Sequence, residues 1–186
     1  MTEYTFQVEC PALAEPPAAT DVFLVYDTSA GTTKRITADM LGGAVSAPVA
    51  TTATSLTVTA AAHAGRTVVI NSTAPIAVTL PQATATGNKY RFFIGVVATA
   101  TSHTIKVANA TDVMSGCAYC VTTTATNTEG FACSATSDTI TLNGTTLGGV
   151  VGDIVEIEDV KTGVFSVKLF TAPTGTEATP FSATVS

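Results

Sequence analysis

Leu56-Thr57-Val58-Thr59, Ile76-Ala77-Val78-Thr79-Leu80, His103-Thr104-Ile105-Lys106-Val107 and Thr139-Ile140-Thr141-Leu142 share one pattern, in which aliphatic residues alternate with threonine, alanine or lysine. A period of two sends successive side chains to opposite faces of a strand, so each segment has a dry face and a wet one. Threonine suits the wet face because its β-branched side chain is stiff and fits a pleated, half-exposed surface. Outward from these segments, Arg66-Thr67-Val68-Val69-Ile70 and residues 89–97 are more continuously apolar, as expected of central strands or strands covered on both sides. Residues 153–160 and 164–170 read as a hairpin joined through Lys161-Thr162-Gly163. Residues 46–186 carry no sustained apolar stripe of helical period. The expected fold is all-β: an antiparallel β-sandwich or small β-barrel, with an N-terminal extended arm and hairpin and one short helix at most.

Composition narrows the function. Of 186 residues only 12% are charged, the net charge is −6, and the eight Lys and Arg residues are scattered. Binding a phosphate backbone requires several phosphates to be neutralised together, so no direct nucleic-acid contact is expected. Although 46% of residues are hydrophobic, no stretch approaches the roughly 18 apolar residues of a membrane span. The N-terminal MTEYTFQVEC carries Glu3 and Glu9 and lacks the basic start and apolar block of a secretory signal. A water-soluble protein made in a reducing cytoplasm is expected.

The residues that could carry chemistry do not assemble into a known constellation. Cys117-Ala118-Tyr119-Cys120 has the spacing of half a zinc site, but Cys10 and Cys133 form no second close pair, and His63 and His103 belong to neither. No metal and no disulfide is expected. His63, among alanines before Gly65, and His103, after Ala100-Thr101-Ser102, read as exposed turn or strand-end residues with no nucleophile motif beside them. Asp153, Glu156, Glu158 and Asp159 are the densest carboxylates, yet strand parity puts the glutamates on one face and the aspartates on the other. Glu156 and Glu158 should face outward and pair with Lys168. Gly148, Gly149 and Gly152 lack the Gly-Lys-Ser/Thr element of a phosphate-binding loop. The three Asn-x-Ser/Thr triplets at Asn71, Asn109 and Asn143 are given no role. With no tryptophan and 6% aromatics, an exposed aromatic platform for sugars is hard to build. No enzymatic activity and no cofactor is expected.

Three regions follow from punctuation. Residues 1–45 contain Pro11, Pro16 and Pro17, then Val22-Phe23-Leu24-Val25-Tyr26, an apolar run expected to be a buried strand, and Lys34-Arg35-Ile36 across an Asp27–Gly31 turn, with a short helix expected over Thr37–Leu41 before Gly42-Gly43. The uncharged stretch AVSAPVATTATS covers residues 44–55, of which 46–55 read as a linker. Residues 56–186 form the β-domain, ending in an extended tail from Thr171 that needs a surface to lie on. The N-terminal region is the expected attachment region, with Phe6, Val8, Phe23, Val25, Tyr26, Ile36, Met40 and Leu41 as candidate contacts to another protein or subunit.

Two stretches resemble bacteriophage virion proteins. The element Asp21-Val22-Phe23-Leu24-Val25-Tyr26-Asp27-Thr28-Ser29-Ala30-Gly31-Thr32-Thr33-Lys34-Arg35-Ile36-Thr37 resembles a hairpin near the N-termini of phage fibre and head-surface proteins. Gly65-Arg66-Thr67-Val68, Thr79-Leu80-Pro81 and Ala85-Thr86-Gly87 are similar to a strand, strand end and turn of phage decoration and fibre proteins. The resemblance implies a capsid decoration or cement protein on the virion exterior. It further implies binding to the major capsid protein and an oligomer, most often a trimer. A tail or head fibre module binding a host-surface glycan is the alternative, and a free carbohydrate-binding accessory domain a third.

Overall fold

The structure, a computed structural model, describes residues 22–37, 47–99, 101–121 and 128–185. The chain divides into two compact units, Met1–Ser46 and Ala47–Ser186.

In the first unit, β1 (Val22–Asp27) and β2 (Thr32–Thr37) pair antiparallel, with Phe23 opposite Ile36 and Val25 opposite Lys34. Gly31 closes the turn at φ +62°, a conformation glycine adopts without the clash a Cβ would bring. The helix expected over Thr37–Leu41 falls largely outside the described residues, and Thr37 itself ends β2.

The second unit is a β-sandwich in which the chain shuttles between two sheets. Strands β3 (Val49–Thr51), β5 (Thr67–Ile70) and β7 (Lys89–Ile94) lie in one sheet; β4 (Ser55–Thr57), β6 (Ala77–Thr79) and β8 (His103–Lys106) lie in the other. Within each sheet these strands run parallel, so each successive pair forms one coil stacked on the last. Val49, Val68 and Phe92 stack on one side, and Leu56, Val78 and Ile105 on the other. The short helix α1 (Ala60–His63) turns the chain between coils, its first turn capped by Thr59.

Further strands complete both sheets, paired antiparallel except for β9 with β13. To the first come β9 (Val113–Val121), β10 (Thr128–Ala132), β12 (Ile154–Lys161) and β13 (Val164–Thr171), giving the order β10-β9-β13-β12-β7-β5-β3. To the second come β11 (Thr139–Leu142) and β14 (Phe181–Ser182), giving β14-β11-β8-β6-β4. Hydrophobic inner faces meet in one core that includes Val68, Ile70, Val78, Phe92, Ile94, Ile105, Ile140, Leu142, Val155, Phe165 and Leu169. At roughly 1.5 to 3 kcal/mol per large side chain, this burial is the main stabilising contribution.

The all-β sandwich agrees with the alternating pattern, while the sheets themselves are mixed: parallel coil pairs and the parallel pair β9/β13 sit beside antiparallel ones. Parallel pairing arises because each coil returns to its sheet in the same direction after crossing the core. Two local readings change. Residues 46–55 are not simply a linker, since they contain β3 and the start of β4. The C-terminal tail lies on its own unit: Phe181 is buried and β14 pairs with β11 as an edge strand.

One glycine is fixed by strand contact. Gly116, at φ +152° in β9, faces β13 so closely that a Cβ would overlap the Val167 carbonyl oxygen. Gly130 in β10 has only the Ala118 carbonyl oxygen near that position, at 3.8 Å. Gly116→Ala should lower unfolding free energy by about 3 kcal/mol or more, whereas Gly130→Ala should stay within about 0.5 kcal/mol. Denaturant midpoints of the two variants against the parent protein test this.

Candidate functional site

All four aspartates of the described second unit, Asp112, Asp138, Asp153 and Asp159, are buried. Each accepts hydrogen bonds from loop backbone. Asp159 Oδ2 accepts from the Thr84 and Thr86 amides and the Thr86 hydroxyl, and Oδ1 from the Ala85 amide at 2.8 Å. This clasp holds Ala85 at φ +62°, a left-handed conformation uncommon for a residue with a Cβ. Asp153 accepts from Gly149, Val150 and Ala172; Asp138 from Thr184 and Val185; Asp112 from Ala83 and the Asn109 side chain. The short Asp side chain reaches a nearby turn without a long flexible stem, which explains why aspartate rather than glutamate serves here.

These clasps account for several motifs. The Gly148-Gly149 loop does present amides to an anion, but the anion is Asp153 of the same chain. Asn109 and Asn143 accept from amides two to four residues on, shaping their own turns. The expected parity of the acidic cluster holds, with Asp153 and Asp159 buried and Glu156 and Glu158 facing outward. The glutamates pair with β7 rather than with Lys168: Arg91 Nε lies 3.8 Å from Glu156 and Lys89 Nζ 3.7 Å from Glu158. Lys168 stands opposite Glu156 in register on the other side. Exposed pairs of this kind contribute about 0 to 1 kcal/mol each.

Both histidines are buried, contrary to the exposed positions expected of them. Nδ1 of His63 accepts the Thr59 amide, tying off α1. His103 Nδ1 accepts the Ile76 amide at 3.1 Å, which leaves Nε2–H to donate to the Val96 carbonyl. Burial lowers the His103 pKa, favouring the neutral ring this pattern requires. Both rings are thus engaged by backbone groups. Cys117 and Cys120 point to opposite faces of β9, so they do not converge on one ion. Cys120 is buried beside the Thr171 hydroxyl, and burial pushes the Cys133 thiol up to about 11, far from a reactive thiolate. Cys10 lies outside the described residues.

Of the candidate contact residues, Phe6, Val8, Met40 and Leu41 lie outside the described residues, while Phe23 and Ile36 are backbone register partners in the hairpin. Val25 and Tyr26 are exposed at 42% and 63%, and Leu24, not singled out as a contact, at 72%, so this run is not the buried strand its apolar character suggests: a two-stranded hairpin has no second layer to cover it.

The larger surface is the outer face of the seven-stranded sheet. Its register aligns Gly130, Tyr119, Phe170, Ile154, Phe93, Val69 and Ala50 in one row across every strand. Tyr119 and Phe170 are about half exposed and their rings stack at 5.5 Å. The next row contains Lys168, Glu156 and Arg91, and the one beyond it Ser166, Glu158 and Lys89. A groove of about 420 Å³ runs over these polar rows, bounded by Gly65 and Arg66. No family model and no curated protein matches the chain.

The clasps make a pH-dependent prediction. Hydrogen bonds from the Thr86 hydroxyl and the loop amides outweigh burial and hold Asp159 below the ordinary carboxylate value of 3.8. Its contribution is therefore complete above that value and lost as pH falls through the folded pKa. Burial raises Asp153 instead, so its protonation on mild acidification favours the fold. Asp159→Asn, which replaces an accepting oxygen with a donor, should cost about 1 to 3 kcal/mol at neutral pH. Urea titrations should show that deficit shrinking only below pH 3.8.

Proposed function

We propose that the protein is a structural component of a bacteriophage particle, a decoration protein seated on the outside of the capsid shell through its N-terminal region. The observation that carries this reading is the hairpin's row of consecutive exposed apolar side chains, Leu24, Val25 and Tyr26. A two-stranded hairpin is marginal in water on its own, and large apolar residues on it gain free energy only against another surface. The second unit completes its own core and needs no such cover to fold. That division suits a protein that attaches with one part and projects the other. The backbone engagement of both histidines and the raised thiols of Cys120 and Cys133 speak for a structural rather than a catalytic role.

The resemblance of residues 21–37 to phage head-surface proteins supplies the class of partner, the major capsid protein. A shell presents its subunits many times over, so even a small hairpin contact gives stable coating when several attachments act together.

The full chain should bind capsids that lack it, and a chain starting at Ala47 should keep its β-type circular dichroism yet fail to bind. Leu24→Ser with Tyr26→Ser in the full chain should weaken binding at least about tenfold, the loss expected when two partly buried anchors are truncated. Co-sedimentation with purified shells measures both. Undiminished binding by the shortened chain would place attachment in the β-sandwich and sink the proposal.

A further inference from the structure

The outer row Tyr119, Phe170, Ile154, Phe93 and Val69 breaks the rule followed by the rest of the sandwich. On the side of the five-stranded sheet away from the core, register aligns Thr57, Thr79, Lys106, Thr139 and Ser182, with Thr139 covered and hydrogen-bonded to Asp138 and Thr184. The equivalent positions of the seven-stranded sheet carry aromatic and aliphatic side chains across a whole row, with Tyr119 and Phe170 about half exposed. Outward strand positions are ordinarily polar, and an apolar row this long marks a contact surface.

We propose that this face packs against the same face of a second copy of the chain, across a two-fold axis that runs parallel to the strands between β12 and β13. The charge arrangement selects that occupant. Lys168 and Glu156 are register partners on the two strands flanking the axis. A half turn about it lays β13 over β12, β9 over β7 and β10 over β5 of the partner. Phe170 then meets the partner's Ile154, Tyr119 meets the partner's Phe93, and Lys168 meets the partner's Glu156. In the next row Ser166 meets the partner's Glu158, so its hydroxyl finds a carboxylate. The surface is complementary to itself in both apolar and charged rows, which is the requirement of an isologous interface.

The area is sufficient. Six overlapping strands spaced about 4.8 Å span roughly 29 Å, and three rows of outward residues extend about 20 Å along the strands. Each copy would bury on the order of 600 Å², or about 1,200 Å² in all, at the lower end of specific interfaces. Because the axis runs along the strands, the two sheets meet face to face with their strand directions aligned. The resulting pair is two-fold, unlike the threefold assembly that the resemblance to decoration proteins implies. It does not depend on where the chain docks, because every residue involved lies in the second unit.

Sedimentation of the full chain without capsids, over a micromolar concentration series, tests the proposal. A monomer–dimer equilibrium is expected. Phe170→Ser with Tyr119→Ser should raise the dissociation constant about tenfold or more while leaving the circular dichroism unchanged. Lys168→Glu should also weaken the dimer, by setting like charges against each other, and adding Glu156→Lys should restore it. A chain that stays monomeric throughout overturns the proposal. So does a trimer, or a dimer indifferent to the Phe170 and Tyr119 changes. Failure of the second charge reversal to rescue the first rejects the two-fold alignment.

Discussion

The aspartates at the two ends of β12 tie together the loops at both ends of the sandwich. Asp153, just before the strand, gathers amides from the loop that precedes it and from the segment that follows β13. Asp159, near its far end, gathers three successive amides from the turn that leads into β7. One strand thereby fixes loops at opposite edges of the core, and these loops in turn set where β7 and the C-terminal segment enter their sheets. The energetic logic is that a buried carboxylate is costly alone but acceptable when several donors converge on it. Asp112 and Asp138 repeat the solution elsewhere. A chain with few charges overall therefore places four of them where solvent does not reach.

This allocation shapes the exterior. With the aspartates inward, the described surface of the second unit relies on threonine, serine and a few lysine, arginine and glutamate residues for its polarity. The outer face of the five-stranded sheet follows that pattern. The outer face of the seven-stranded sheet combines one apolar row, with the stacked aromatic pair Tyr119 and Phe170, and a small mixed-charge field. The outward faces of the two sheets are thus chemically distinct.

The sequence was most informative where the interaction was local. The four threonine-alternating segments became β4, β6, β8 and β11, four of the five strands of one sheet, because period-two alternation is written in neighbouring residues. The hairpins β1/β2 and β12/β13 were legible for the same reason: Gly31 and Gly163 lie at turns and take positive φ. What escaped reading was nonlocal. Val49–Thr51 looks like linker because its reason for being a strand is Val68–Ile70, supplied by the next coil. His63 and His103 sit among small residues that suggest a turn, but their partners are backbone groups brought close only by folding. The apolar row was invisible because each strand contributes a single residue to it. Of the candidate contacts, Val25 and Tyr26 are exposed on the hairpin, while Leu24 between β1's better-patterned neighbours drew no notice.

The strand order also constrains how the molecule can be made. In the seven-stranded sheet, β7 and β9 are not neighbours; β12 and β13 lie between them, although they come later in the chain. The strands from β3 to β8 have partners among themselves, and β9 has β10, but without β12 and β13 these are separate fragments of sheet. The hairpin β12/β13 is the keystone, inserted last and bonded on both sides. Synthesis from N- to C-terminus thus leaves the edge of β7 waiting about sixty residues for β12 and that of β9 about forty for β13, an order set by topology and loop closure. A ribosome stalled before Ile154 would release a chain whose two open edges invite pairing with strangers.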